Sequence, residues 1–178
     1  MTVSIRLAAC AAAILLTFGG VTLLVAGDKS AEAAFAVAPS GGGGATGLSL
    51  APGLSFTDDS SSAFPIRGHD LGDGKIASDR PTVVFFGTSH CWNTNREAER
   101  FVLLYQKHAD EARFLVVDAA SPASAQRALV ARLYHGFIPT LAFLDRNGKV
   151  VYNRAGETSR ERGNVSGLER LLGTAKEP

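Results

Sequence analysis

Cys10 and Cys91 are the two cysteines of the chain, and a cysteine thiolate is the side chain best suited to attack a disulfide. Cys91 stands between a strongly apolar run, Thr82 to Phe86, and an amphipathic segment, Asn95 to His108. That places it at a strand-to-helix turn, where unpaired backbone N–H groups and the helix dipole favour negative charge. A thiol there is expected to hold an appreciable thiolate fraction. By position alone a buried, inert cysteine fits equally well. His90 is adjacent. As an imidazolium it would favour the thiolate further and make the site sensitive to pH, whereas a solvated loop histidine is the plainer alternative.

Other chemistries find little support. The histidines at 69, 90, 108 and 135 lack zinc-ligand spacing. Gly41 to Gly44 is followed by no Lys-Ser/Thr pair and preceded by no strand, so it reads as linker and not as a phosphate cradle. No paired-carboxylate hydrolase signature and no Ser-His-Asp arrangement emerges. A formal net charge of +1 argues against a nucleic-acid binder driven by phosphate neutralisation. No metal, nucleotide, flavin or other cofactor is implied.

The elements that would position Cys91 are legible as periodicities. Thr82–Phe86 and Phe114–Val117 are uninterrupted apolar runs, the mark of strands buried on both faces. In the helix Asn95–His108, Ala98, Phe101, Val102 and Tyr105 share one face, with Arg96, Glu97, Arg100 and Lys107 turned away. Pro122 precedes a helix over Ala125–Tyr134. Thr140–Leu144 and Val150–Tyr152 flank Asp145-Arg146-Asn147-Gly148 as a hairpin, and Val165–Leu172 forms a last helix. Ahead of these, Asp73-Gly74 predicts a turn between short extended pieces, Phe64–Arg67 and Lys75–Ile76. The order β–α–β–α–β–β–α suggests an α/β fold, a mixed sheet covered by helices on both faces.

Two segments precede this unit. Leu7–Ala26 contains no charged residue, and as a helix it would rise about 30 Å, enough to cross a bilayer core. Residues 1–26 therefore read as a signal peptide or an N-terminal membrane anchor. Ala31-Glu32-Ala33 and Ala34-Phe35-Ala36 offer small-x-small cleavage patterns. Leu7-Ala8-Ala9-Cys10 resembles a lipoprotein box but lacks the apolar stretch before its cysteine. Residues 27–62, rich in Gly, Ser and Ala, read as a flexible tether, with a short strand near Leu48–Phe56 as a variant. The folded domain is expected over residues 63–178.

The run Pro81 to Cys91, with Val83-Val84-Phe85-Phe86 leading to Gly87-Thr88-Ser89-His90-Cys91, resembles the strand and active-site approach of the thioredoxin superfamily, especially its bacterial envelope members. Phe137-Ile138-Pro139-Thr140, with Leu141 to Asp145 and Gly148 to Val151, is similar to that family's cis-proline loop and terminal hairpin. The lead-in with Asp73-Gly74-Lys75 resembles the segment before the fold in membrane-anchored thiol-disulfide proteins. The resemblance implies a thioredoxin-like three-layer α/β/α sandwich, a nucleophilic Cys91, and a cis Ile138–Pro139 bond whose backbone pairs with an extended substrate. Trp92, Phe137, Ile138 and Pro139 become candidate substrate-binding residues, with Trp92 exposed and His135 bordering the loop.

Two departures qualify this. The family's Cys-x-x-Cys is here Cys91-Trp92-Asn93-Thr94. Thr94 cannot form a disulfide, although its hydroxyl could donate a hydrogen bond to the Cys91 thiolate. The family's buried acid, six positions before the nucleophile, corresponds to Phe85, and its lysine partner to Phe114. The expected function is monothiol thiol-disulfide exchange, isomerase- or reductase-like, on exported cysteine-containing proteins in the periplasm or another extracytoplasmic space. An external thiol or redox partner would release the mixed disulfide. The competing reading is a non-catalytic peptide-binding or assembly module.

Overall fold

The computed structural model describes residues 47–156 and 162–177. The expected export segment, the tether over residues 27–46 and Cys10 lie outside them. Among the described residues no helix is long and apolar enough to cross a membrane. The chain runs through β1 (Ser49–Leu50), β2 (Ile66–Arg67), β3 (Thr82–Gly87), α1 (Trp92–His108) and β4 (Arg113–Asp118). A 3-10 turn (Ser124–Gln126) leads into α2 (Arg127–Leu133), followed by β5 (Thr140–Leu144), β6 (Val150–Ala155) and α3 (Ser166–Lys176).

The main sheet has the order β4-β3-β5-β6. β3 and β4 are parallel, with Thr82 opposite Arg113 and Gly87 opposite Asp118; a parallel pair needs a long crossover, and α1 supplies it. β5 lies antiparallel to β3 on its other side and forms a hairpin with β6. β3 and β5 are central strands with every residue buried, which is why both read as near-continuous apolar runs. On one face, Phe85, Leu141 and Phe143 pack with Phe101 and Leu104 of α1 and Leu168 and Leu172 of α3. On the other, Val84, Phe86 and Ala142 meet Leu129 and Leu133 of α2. The fold is thioredoxin-like.

The structure departs from expectation in three places. The folded body does not start at residue 63: Leu48 and Ala51 are buried, and β1 pairs with β2, Ser49 opposite Arg67 and Leu50 opposite Ile66. Residues 48–62 are therefore packed and not a free tether, because apolar side chains near residue 50 reach the core and serine and aspartate side chains satisfy the intervening backbone. Secondly, β2 takes β1 as its partner, and residues 75–76 form no strand. Asp73-Gly74 is still a turn, with Asp73 Oδ1 accepting the Lys75 N–H at 2.8 Å. It is anchored outward, through the Asp73–Arg113 ion pair and a glycine pressed against the Ala125 backbone.

Thirdly, Glu97 and Arg100 do not face solvent. Both are buried. Glu97 Oε2 lies 3.1 Å from Arg100 Nη1 and 2.7 Å from Arg154 Nη2 on β6, and Arg100 Nε donates to the Asn164 carbonyl at 2.7 Å. A buried carboxylate is tolerable only because opposite charge and hydrogen bonds replace its lost water. The cluster joins α1 to β6 and to the turn before α3. Replacing Glu97 by alanine strips the counter-charge from the buried Arg100 and the half-buried Arg154. It is expected to lower the unfolding free energy by about 3 kcal/mol, measurable by urea denaturation.

Candidate active site around Cys91

Gly87, the last residue of β3, is where strand and helix meet. A Cβ built on it would lie 2.5 Å from the Thr94 methyl carbon and 2.6 Å from the Phe85 ring, so only glycine lets the first turn of α1 sit this close to the sheet. Asp118, opposite Gly87 on β4, closes a turn by accepting the Ala120 N–H on its side chain at 3.0 Å, a structural role. His90 has a left-handed backbone, φ +54°. It turns the chain so that Cys91 is extended, φ −147° and ψ 105°, and the helix begins at Trp92.

Cys91 is a free, half-buried thiol. It occupies the N-cap position of α1, and its side chain makes no capping hydrogen bond. The cap comes from elsewhere: Asp59 Oδ1 accepts the Trp92 N–H at 2.9 Å. The segment carrying Asp59 is fastened on both sides of the site. Ser61 O accepts the His90 N–H at 3.0 Å. Asn95 Nδ2 donates to Ser55 O at 2.6 Å and to Ser61 Oγ at 3.2 Å. Asp59, Ser55, Ser61 and Asn95 belong to no motif that the sequence displays. The available signal was the lack of a Ser, Thr, Asp or Asn capping residue at position 91, which leaves α1 to find its cap from a distance.

Thr94, where the resemblance places a second cysteine, is fully buried, and its Oγ1 has no hydrogen-bond partner. The expected bond to Cys91 is therefore not made; the methyl contact at Gly87 holds the side chain. Trp92 is not the exposed indole expected either. It is half-buried, with the Arg96 guanidinium 5.1 Å from its ring centroid, a cation–π arrangement across one helical turn. The His90 side chain is exposed.

Across β3, Phe86 pairs with Thr140 of β5, so Pro139 comes level with Gly87 at the end of the sheet that carries Cys91. The Ile138–Pro139 bond is cis. Thr140 Oγ1 donates to the Phe137 carbonyl at 2.5 Å, and Gly156 N–H donates to Pro139 O at 2.7 Å. Pro139 is buried, Ile138 half-buried, and Phe137 projects with 64% of its surface exposed. His135 is exposed as well. The backbone thus brings Cys91 and the Phe137–Pro139 loop to one edge of the molecule. A cleft of about 440 Å³ lined by Asp73, Arg80, Tyr105 and Arg113 lies elsewhere, at the opposite end of β3 and β4.

Phe85 and Phe114 occupy the positions where the resemblance places an acid and a lysine. Phe85 packs on Phe101 with ring centroids 5.4 Å apart, and Phe114 meets the same ring edge-on at 5.4 Å. These positions are aromatic core. The buried carboxylate of α1 is Glu97, and it is held by arginines.

No family model matches the chain, and no curated protein matches it. Among solved structures it is similar to the germline-specific thioredoxin Deadhead of Drosophila melanogaster, with 20% identity over 54% of this chain and 81% of that one and a TM-score of 0.42. Mitochondrial thioredoxin 3 of Saccharomyces cerevisiae is 17% identical over 54% of this chain and 79% of that one, with a TM-score of 0.41. Malassezia sympodialis thioredoxin is 16% identical over 60% and 96%, with a TM-score of 0.43. The fold assignment rests on the strand order and register given above.

Gly87→Ala is expected to force the first turn of α1 away from β3. Unfolding in urea should show a loss of about 2 kcal/mol, typical of overpacking a filled site.

Proposed function

We propose that this protein carries out thiol–disulfide exchange with Cys91 as its single nucleophile, acting on cysteine-containing proteins outside the cytoplasm. The observation that carries the reading is the placement of Cys91: a half-buried free thiol at the head of a 17-residue helix, at the same sheet end as the Phe137–Pro139 loop. There is no second cysteine among the described residues. An extracytoplasmic location is supported by the uncharged run Leu7–Ala26, which suits export or anchoring in a membrane.

The exchange is balanced with one thiol. The Cys91 thiolate attacks one sulfur of a client disulfide; a Cys91–client S–S bond forms, the client S–S bond breaks, and the other client sulfur leaves as a thiolate. A second thiolate, from the client itself or from an external thiol, then attacks the mixed disulfide and returns Cys91 as a thiolate. When the client supplies it, the result is isomerisation with no net electron transfer. When external thiols supply it, the client disulfide is reduced and those thiols are oxidised. Thr94, one helical turn from Cys91, offers a hydroxyl with no present partner, and rotation toward the sulfur would give the thiolate a donor.

The exposed Phe137 favours a second reading, in which this edge binds extended apolar peptides without chemistry. Trapping client proteins by rapid acid quench separates the two. Wild-type protein should yield disulfide-linked adducts that disappear on reduction and are absent from Cys91→Ser. A wild type that forms no adducts, with peptide binding unaltered by Cys91→Ser, would establish the binding module instead.

A further inference from the structure

Residues 51–65 form a closed surface loop of the Ω type. Its base is pinned by the β1–β2 pairing and by the Ala51 N–H donating to Pro65 O at 2.8 Å. Its interior is pinned by Ser61 and Asn95, both buried, through the bonds to Ser55 and His90 already described. Near its tip stand two consecutive carboxylates. Asp58 is held below the usual carboxylate range, first by the Ser60 hydroxyl, then by the Ser60 N–H and the Ser55 hydroxyl. Asp59 reaches the Trp92 N–H. Trp92 N is the backbone nitrogen that follows Cys91. Bond lengths alone therefore place the Asp59 oxygen within about 9 Å of the Cys91 sulfur in any rotamer, inside a Debye length of about 10 Å at 0.1 M salt.

An anion fixed there does two things. It takes up the first free donor of α1, and it sets a negative field over the path by which a disulfide approaches the sulfur. Two arginines near this edge already have partners, and one of them also lies over the Phe56 ring of the loop, 3.8 Å from its centroid. The Arg162 guanidinium is bound to both Glu99 oxygens, at 3.0 and 2.7 Å. The Arg96 guanidinium lies over the Trp92 ring, one turn along the helix. The His90 side chain is exposed.

We propose that Asp59 is a specificity-determining residue of the Cys91 site: its carboxylate, delivered by the 51–65 loop, disfavours anionic disulfides and selects neutral or cationic protein disulfides. The proposal rests on the reading of Cys91 as a nucleophile and adds the charge class of its substrate. It also implies that small acidic disulfides are poor substrates, although they are sterically easy.

The test uses the full chain and two alkylating reagents of similar size, neutral iodoacetamide and anionic iodoacetate. Modification is followed by mass spectrometry on the Cys91 peptide so that Cys10 does not contribute. At low ionic strength Asp59→Asn should raise the ratio of iodoacetate to iodoacetamide rates by about three- to tenfold, while Asp59→Glu stays near wild type. A loop merely loosened would speed both reagents alike and leave the ratio unchanged, which overturns the proposal. If Asp59→Asn does not fold, the wild type decides. Its ratio should rise with salt more steeply than that of an unstructured peptide containing one cysteine, whose thiolate alone repels iodoacetate, and a dependence no steeper than the peptide's overturns the proposal. A Cys91 that neither reagent modifies overturns both this inference and thiol exchange. A shifted ratio without client adducts sinks exchange on proteins while leaving the role of Asp59 at the thiol intact.

Discussion

At Gly87 the end of β3 and the beginning of α1, the longest helix among the described residues, share a space with no room for one more carbon. The Thr94 methyl and the Phe85 ring take the volume that a side chain would need. Everything at this end of the sheet follows from that contact. It sets how far α1 stands from β3, and so where Cys91 emerges after the tight passage through Ser89 and His90. Because Phe86 pairs with Thr140, the same strand end also fixes the height of the Phe137–Pro139 loop. Thiol and loop therefore share one rigid reference, as the proposed exchange on an extended chain requires.

Once docked, α1 is held by charge at two depths. Asp59 meets its first N–H, and Glu97 engages Arg100 and Arg154 about a turn and a half further in. The two contacts differ in kind. A carboxylate at an exposed helix start gains from the dipole and remains solvated. The Glu97 cluster loses its water, so its worth lies less in net stability than in the damage done by breaking it and in the single arrangement it permits. One contact adjusts the chemistry at the helix head, and the other holds the helix against β6, whose last residues border the Pro139 loop.

Features that depend on local pattern were legible in the sequence. Thr82–Phe86 and Thr140–Leu144 are apolar without interruption because both are central strands. Asp145-Arg146-Asn147-Gly148 announces its hairpin because the Asp145 side chain accepts the Asn147 and Lys149 N–H groups, each at 2.8 Å, and Gly148 supplies φ +73°. What escaped depends on partners remote in the chain. Glu97 and Arg100 look like a solvated helix face until Arg154 is brought beside them. The stretch around Asp58 to Ser62 has the composition of a tether, and only contact with Asn95 and His90 makes it part of the site. Strands of two residues carry too little pattern to show their partner: extended pieces near Leu48–Phe56 and over Phe64–Arg67 were legible, but not that β1 and β2 pair with each other. The missing hydrogen bond of Thr94 likewise could not be deduced, since it turns on which of two side-chain branches meets Gly87.

The pairing of β1 with β2 has an evolutionary consequence. By joining the ends of residues 51–65 at their base, it makes the loop a unit whose ties to the helix start and the turn before it run through Ser55, Asp59 and Ser61. The entropy of closing such a loop changes by only about 0.6 kcal/mol for each doubling of its length. Lineages could therefore lengthen or recharge the exposed positions between those ties with little cost to the sheet and helices beneath them. A single scaffold could then vary the shape and charge beside the thiol within one cassette, leaving the cysteine itself untouched.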